Sequence, residues 1–351
     1  MVYDEFIGGI YHMLSDTLTC HWPIDFSSNE LAPISQYFQA IVSCMVLGAL
    51  AHRAFKTKSH NHADILRCPN PGCVRCQRYE ETNKNAKRRL EHRIRTKSGQ
   101  DRISERIVQG ITSGVPQPDS FVIEGQYPNV LLVPGLAVKP IASDMHNKAI
   151  ERLSGNDVST RQLHDVFLQE FLSAQCQGEL RNNDIGKSNP KYTDQLWQVL
   201  YLINQGEWVK QNVRLCPQTV AVVKSLEGIM EGSLFGNVFF SVLYPGTVLD
   251  AHCGPTNVRH RLHFPLSIPL KKKASHNPIF DVNGVKLRWE EGNPFVFDDS
   301  LVHSAEYLGD SQDSEIRIVL VVDLWHPHLS SFERGLLKEF YPPYGENTSN
   351  D

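Results

Sequence analysis

From Leu196 onward the chain is a train of short apolar runs, each cut off by turn residues. The runs are LWQVLYLI, VFFSVLY ahead of Pro245-Gly246-Thr247, RHRLHFPLSI, IFDV ahead of Asn283-Gly284 with VKLRW behind it, PFVFD and IRIVLVVDLW. Runs of this length, rich in β-branched and aromatic residues, read as strands, and no gap between them carries a helix-length periodic pattern. Asn-Gly between two such runs is a strong hairpin signal, because both residues tolerate the positive φ of a tight turn. The fold expected is mainly β with flanking helices, in a closed or double-sheet antiparallel architecture of the jelly-roll or cupin kind. No internal repeat is present.

The chain ahead of this region divides by charge. Residues 1–30 are a polar, acidic leader with scattered aromatics. The twenty-one residues from 31 to 51 carry no charge, and as a helix they would reach ~31 Å against a hydrocarbon core of ~30 Å. A transmembrane helix over residues 31–52 is expected, although Pro33, Gln36, Gln39 and Ser43 also suit a buried amphipathic helix. Arg53, Lys56 and Lys58 follow the segment and no Lys or Arg precedes it, which places the C-terminal side in the cytosol. Asn347-Thr348-Ser349 is a glycosylation sequon, usable only in the lumen of a secretory membrane such as the endoplasmic reticulum. The two orientation signals oppose each other.

Residues 53–115 form a basic, cysteine-containing linker and helical region. Between Arg53 and Arg106 fifteen Lys and Arg stand against six Asp and Glu, a local charge of +9 in a chain of net charge −4. The stretch 83–110 reads as a cationic helix broken at Ser98-Gly99, its plainest role a solvated surface. No aromatic residues interleave with the charges to stack on bases, so nucleic acid is not the expected partner. Cys68, Cys73 and Cys76 suit a zinc site with His60 or His62, a disulfide, or no bond at all. The folded domain is expected over residues 116–345, with a helical stretch from Val158 to Leu180 as framework.

The chemistry-bearing residues sit among the strand-like runs. His252 follows the turn at Pro245-Gly246-Thr247, and His303 follows Phe297-Asp298-Asp299-Ser300. In a double-sheet barrel two such positions can meet at one mouth, where neutral imidazoles suit a divalent iron. In RHRLHFPLSI a period of two puts Arg259, Arg261 and His263 on one face and Leu262, Phe264 and Leu266 on the other, as in a half-exposed strand. In EIRIVLVVDLWHP, Arg317 stands on an apolar face with Val319 and Val321, where it needs a carboxylate. Asp323 would serve in a structural pair, and a bound dicarboxylate would serve equally.

The segments SVLYPGTVLDAHCGPTNVRHRLHFPLSIP and WEEGNPFVFDDSLVH…RIVLVVDLWHP resemble the aspartyl/asparaginyl β-hydroxylase family over about Leu196 to His326. RCPNPGCVRC and LINQGEWVKQNVRLCP are similar to segments of its shorter, membrane-anchored members. The resemblance implies a double-stranded β-helix and an Fe(II)- and 2-oxoglutarate-dependent dioxygenase that hydroxylates Asp or Asn side chains of a protein. By it, His252 and His303 bind iron, and Arg317, helped by Ser241, pairs with the distal carboxylate of 2-oxoglutarate. Arg261, Leu262 and His263 contribute to the oxo-acid end, Trp197 lines the cosubstrate pocket, and Arg259 faces the substrate.

Several features depart from the pattern. Most enzymes of the larger superfamily place a carboxylate two residues after the first His, where this chain has Gly254. Cys253 stands directly beside a ligand, and the stretch from His303 to Arg317 is a few residues longer, with a turn at residues 309–313. The repeat-rich recruiting region of long members is missing, which also admits a weakly active or inactive metal-binding scaffold with the same fold.

Overall fold

The computed structural model describes residues 71–74, 76–96, 103–114, 123–154, 158–177, 180–182, 197–270, 276–309 and 315–344. The expected transmembrane segment, Cys68 and the sequon at Asn347 lie outside the described residues. Among the described residues no helix is long and apolar enough to cross a membrane.

Among the described residues seven α-helices flank the sheets: α1 (Tyr79–Thr96), α2 (Glu105–Ser113), α3 (Asn147–Ser154), α4 (Val158–Ala174), α5 (Lys210–Leu215), α6 (Pro217–Ser225) and α7 (Ser331–Phe340). The strands are β1 (Arg181–Asn182), β2 (Trp197–Asn204), β3 (Glu207–Trp208), β4 (Val238–Leu243), β5 (Thr247–His252), β6 (Arg259–Ser267), β7 (Ile279–Val282), β8 (Val285–Leu287), β9 (Phe295–Phe297), β10 (His303–Tyr307) and β11 (Arg317–Trp325). The larger sheet runs β1-β2-β4-β11-β6-β9 with β3 paired to β2, and the smaller runs β5-β10-β7-β8. From β4 to β11 the chain passes repeatedly from one sheet to the other, and the strand pairs are antiparallel. This is the double-sheet antiparallel architecture expected from the runs, and the double-stranded β-helix that the family resemblance implied.

Burial explains why the two sheets stack. Val199, Phe239, Val319 and Val321 on the larger sheet pack against Leu249, Phe280, Val282 and Tyr307 on the smaller. The opposite face of the larger sheet, with Leu262, Phe264, Leu266, Ile318, Leu320 and Val322, is covered by Phe167 and Phe171 of α4 and Val220 and Val223 of α6. Strand β6 is therefore buried on both faces, not half-exposed as its alternation suggested. The alternation survives because one face meets apolar core and the other meets buried polar groups. At the β7–β8 turn, Asn283 and Gly284 have φ of 49° and 83°, both in the left-handed region that a two-residue hairpin turn requires.

The basic stretch is more than a solvated surface. The expected break at Ser98-Gly99 lies outside the described residues, but α1 and α2 each turn an apolar stripe inward. Ala86 and Leu90 of α1, with Ile107 and Ile111 of α2, join Trp325 and Leu336, Leu337 and Phe340 of α7 in one buried cluster. Polar contacts fasten it: Arg93 pairs with Glu339, Thr82 bonds the Tyr344 hydroxyl at 2.6 Å, and Arg78 lies 3.5 Å over the Tyr344 ring.

Candidate active site

His252 ends β5 and His303 begins β10, and the two strands pair in a register that sets these residues opposite each other. Their ring centroids are 4.3 Å apart. A register shift between His303 and Ala305 re-aims the strand at this point, a common use of a bulge beside a site. Each imidazole is oriented in the same way. His252 Nδ1 lies 2.7 Å from the carbonyl of Asp250, and His303 Nδ1 lies 2.8 Å from that of Leu301. Nδ1 thus carries a proton in both rings, the arrangement that leaves Nε2 as the nitrogen to face a metal. Among the described residues no group of three His, Cys, Asp or Glu side chains is arranged to hold a metal ion. The donor set offered here is two imidazoles, each oriented by a backbone carbonyl at Nδ1.

Two cavities meet at this pair. The inner one, about 40 Å³, reaches Arg317, Ser241, His263, Phe280 and Trp289. The outer one, about 310 Å³, reaches Arg181, Tyr201, Asn237, Arg259 and Asp299 and includes residues 72–74. Trp197, Phe239, His252, Arg261 and His303 line both, so they form the neck between the chambers.

At the floor of the inner chamber Arg317 is 2% exposed. Its Nη1 donates to the backbone oxygen and the hydroxyl of Ser241, each at 3.2 Å, and Nε has no partner. Trp289 lies beneath it at 4.7 Å, and Trp197 Nε1 donates to Ser241 Oγ at 3.0 Å. Among the described residues no carboxylate pairs with Arg317. Burial pushes its pKa down to about 9, with no opposing charge to hold it up. His263 accepts from Trp289 Nε1 at 3.2 Å, and burial drives it well below the ordinary histidine range, so its ring is neutral.

Asp323, the alternative partner for Arg317, is engaged elsewhere. Its carboxylate accepts from Arg261 Nε at 2.8 Å and from Arg259 Nη1 at 3.1 Å. Arg259 also pairs with Asp299, at 4% side-chain exposure. Arg259 and Arg261 therefore reach the cavities as guanidinium groups already neutralised by protein carboxylates. Leu262 is not brought to the site, since its side chain packs in the core on the helix-covered face.

Asp299 and Trp289 were not among the expected site residues. A Cβ on Gly254 would stand 2.4 Å from Asp299 Oδ2. The space beside His252 where a side chain at position 254 would begin is thus filled by a carboxylate from the turn after β9. The signal was the pair Asp298-Asp299 directly after the apolar run PFVF and ahead of His303. Asp298 itself is pushed up to about 7 by burial and accepts from Ser300 N and Oγ at 3.0 and 2.5 Å, fixing the turn that delivers His303.

The model of the family described as Aspartyl/Asparaginyl beta-hydroxylase matches residues 162–327. Aspartate beta-hydroxylase domain-containing protein 2 from Homo sapiens is 31% identical over 279 residues, covering 79% of this chain and 70% of that protein. Aspartyl/asparaginyl beta-hydroxylase from Mus musculus is 32% identical over 145 residues, covering 39% of this chain and 17% of that protein. A 2OG-Fe(II) oxygenase family oxidoreductase from Burkholderia pseudomallei is similar in structure at 11% identity and a TM-score of 0.32, covering 49% of this chain and 82% of that one. With a relative matched over most of both lengths, the chain belongs to the aspartyl/asparaginyl β-hydroxylase family.

Proposed function

We propose that this chain is an Fe(II)- and 2-oxoglutarate-dependent dioxygenase that hydroxylates aspartyl or asparaginyl side chains of a protein substrate. The observation that carries the reading is Arg317, a buried guanidinium without a carboxylate, at the end of a chamber whose mouth is the His252/His303 pair. An uncompensated buried charge costs several kcal/mol, and a dicarboxylate reaching from the metal to Arg317 would offset that cost. His252 and His303 fit a divalent iron because backbone carbonyls hold Nδ1 of both rings, which leaves Nε2 as the nitrogen for the metal.

Bound iron with 2-oxoglutarate and dioxygen supplies the oxidising chemistry, with succinate and carbon dioxide as by-products. The protein's residues do the rest. Arg317 and Ser241 anchor the distal carboxylate, while Trp197, Phe239, Phe280 and Trp289 exclude water from the inner chamber. His263, kept neutral, adds no charge beside the oxo-acid end. Asp299, next to Gly254, supplies negative charge beside the His pair from outside the two-His set, and Arg259 balances it. Residues 31–52 are proposed as a single-pass membrane anchor.

The test is direct. The purified full chain in detergent should release succinate from 2-oxoglutarate only with Fe(II), and Mn(II) should support 2-oxoglutarate binding without turnover. His303→Ala should lose both. Turnover that persists in His303→Ala, or 2-oxoglutarate bound equally well by Arg317→Ala, would defeat the reading. Tight binding of Mn(II) and 2-oxoglutarate with no turnover of any Asp- or Asn-containing peptide would favour a scaffold.

A further inference from the structure

The outer chamber is not made by the barrel alone. Gly72, Cys73 and Val74, which lie ahead of α1, line it together with His252 and His303. They are held there from two sides. Val74, 6% exposed, packs in the cluster that contains Leu234 and Phe235, two residues that also line the chamber. Gln205, in the turn between β2 and β3, donates from Nε2 to the carbonyl of Gly72 at 2.9 Å.

Gln205 is itself unusual. Its φ is 50°, in the left-handed region that a residue with a side chain adopts at a cost. Its backbone N–H donates to Asn237 Oδ1 at 2.9 Å, and Asn237 donates from its own N–H and from Nδ2 to Asp323 at 2.9 and 3.1 Å. Asp323 is the carboxylate that holds Arg261 at the neck. A continuous hydrogen-bonded path therefore runs from the neck of the site through Asp323, Asn237 and Gln205 to the segment at 72–74. A chamber of about 310 Å³ lies at the small end for ligand pockets. It fits one side chain with its flanking backbone.

We propose that residues 72–74 are the specificity wall of this chamber, with Gln205 as their positioning residue, so that they select which extended acidic or amide-bearing peptide segment reaches the His pair. The proposal rests on the dioxygenase reading. It predicts that the wall governs peptide choice while the inner chamber governs 2-oxoglutarate.

The experiment uses the full chain loaded with Mn(II) and 2-oxoglutarate to select from a displayed library of Asp- and Asn-containing peptides. Cys73→Trp should reduce recovery of the wild-type motif by about tenfold, and Gln205→Ala should broaden the motif. Calorimetry should find 2-oxoglutarate affinity changed by less than about twofold in both, within the scatter expected of distant sites. Independently of any variant, a selected peptide should slow alkylation of the Cys73 thiol and leave that of the exposed Cys176 unchanged. Equal recovery of the same motif by all three proteins, enrichment of no peptide by wild type, or Cys73 alkylation unaffected by saturating peptide would overturn the wall. Failure of the wild-type chain to bind Mn(II) and 2-oxoglutarate would instead strike the dioxygenase reading beneath it.

Discussion

Arg317 shows how a single residue trades stability for a ligand. It brings a charge into a place 2% exposed, with Ser241 as its hydrogen-bonding partner and Trp289 beneath it. Arg317→Met should therefore raise the stability of the ligand-free protein, by about 1–2 kcal/mol in denaturant titration, while removing 2-oxoglutarate affinity. Arg317→Lys keeps the charge but loses the fork, and 2-oxoglutarate affinity measured by calorimetry should fall by roughly 10- to 100-fold. A destabilised Met variant would contradict the first expectation. Arg317 stood out in the sequence as a charged residue in an apolar run, where burial without a use is expensive, and His252 and His303 stood out by their places beside turns and by the family resemblance. Asp299 was not legible as part of the site, because its role depends on lying against Gly254, forty-five positions earlier, and sequence spacing carries no such proximity. Leu262 was misplaced for a simpler reason: it neighbours Arg261 and His263 in sequence, but a strand sends it to the opposite face.

At the level of elements, β6 places His260 on its helix-covered side, where it meets His146 and His326 from elsewhere in the chain. His260 Nδ1 lies 2.9 Å from His146 Nε2, and its ring centroid is 4.4 Å from that of His326. His326 Nε2 donates to the carbonyl of Ala137 at 3.0 Å, and its Nδ1 accepts from the backbone of His328 at 3.1 Å. Burial lowers His146 and His326 to about 4 and puts His260 well below the ordinary range; His328 and Arg334 add positive charge nearby, opposed by Glu227. These groups are neutral in the folded chain, while the unfolded chain binds protons from about pH 6.5 downward. Their contribution is therefore complete above about pH 6.5 and is lost as pH falls towards 4, by about 1.4 kcal/mol per pH unit for each histidine that titrates. Urea midpoints between pH 7 and 4 should fall steeply in the wild type and less steeply in His146→Phe. Equal slopes would show that the cluster does not govern acid stability. The hairpin at Asn283-Gly284 was readable because its cause is local. The histidine cluster draws on residues from 146 to 328, and only the closed barrel brings them together.

Across the whole molecule, α1 and α2 complete a core that the barrel cannot close alone. A chain beginning at residue 116 would leave Trp325, Leu336, Leu337 and Phe340 without Ala86, Leu90, Ile107 and Ile111. It should elute as soluble aggregate in size exclusion, whereas a chain beginning at residue 61 should remain dispersed. Monomeric, cooperative unfolding of the shorter chain would show that the barrel suffices. Composition marked the basic stretch by its charge and concealed its apolar stripe, because the stripe is short and is diluted by lysine and arginine. The contacts of α1 with Glu339, Phe340 and Tyr344 also order events during synthesis. Residues 72–74 leave the ribosome early, but the helix behind them cannot complete its docking until the last few residues of the fold emerge. A product cut short before α7 would carry His252 and His303 in a cleft whose 72–74 side lacks the support of a docked α1.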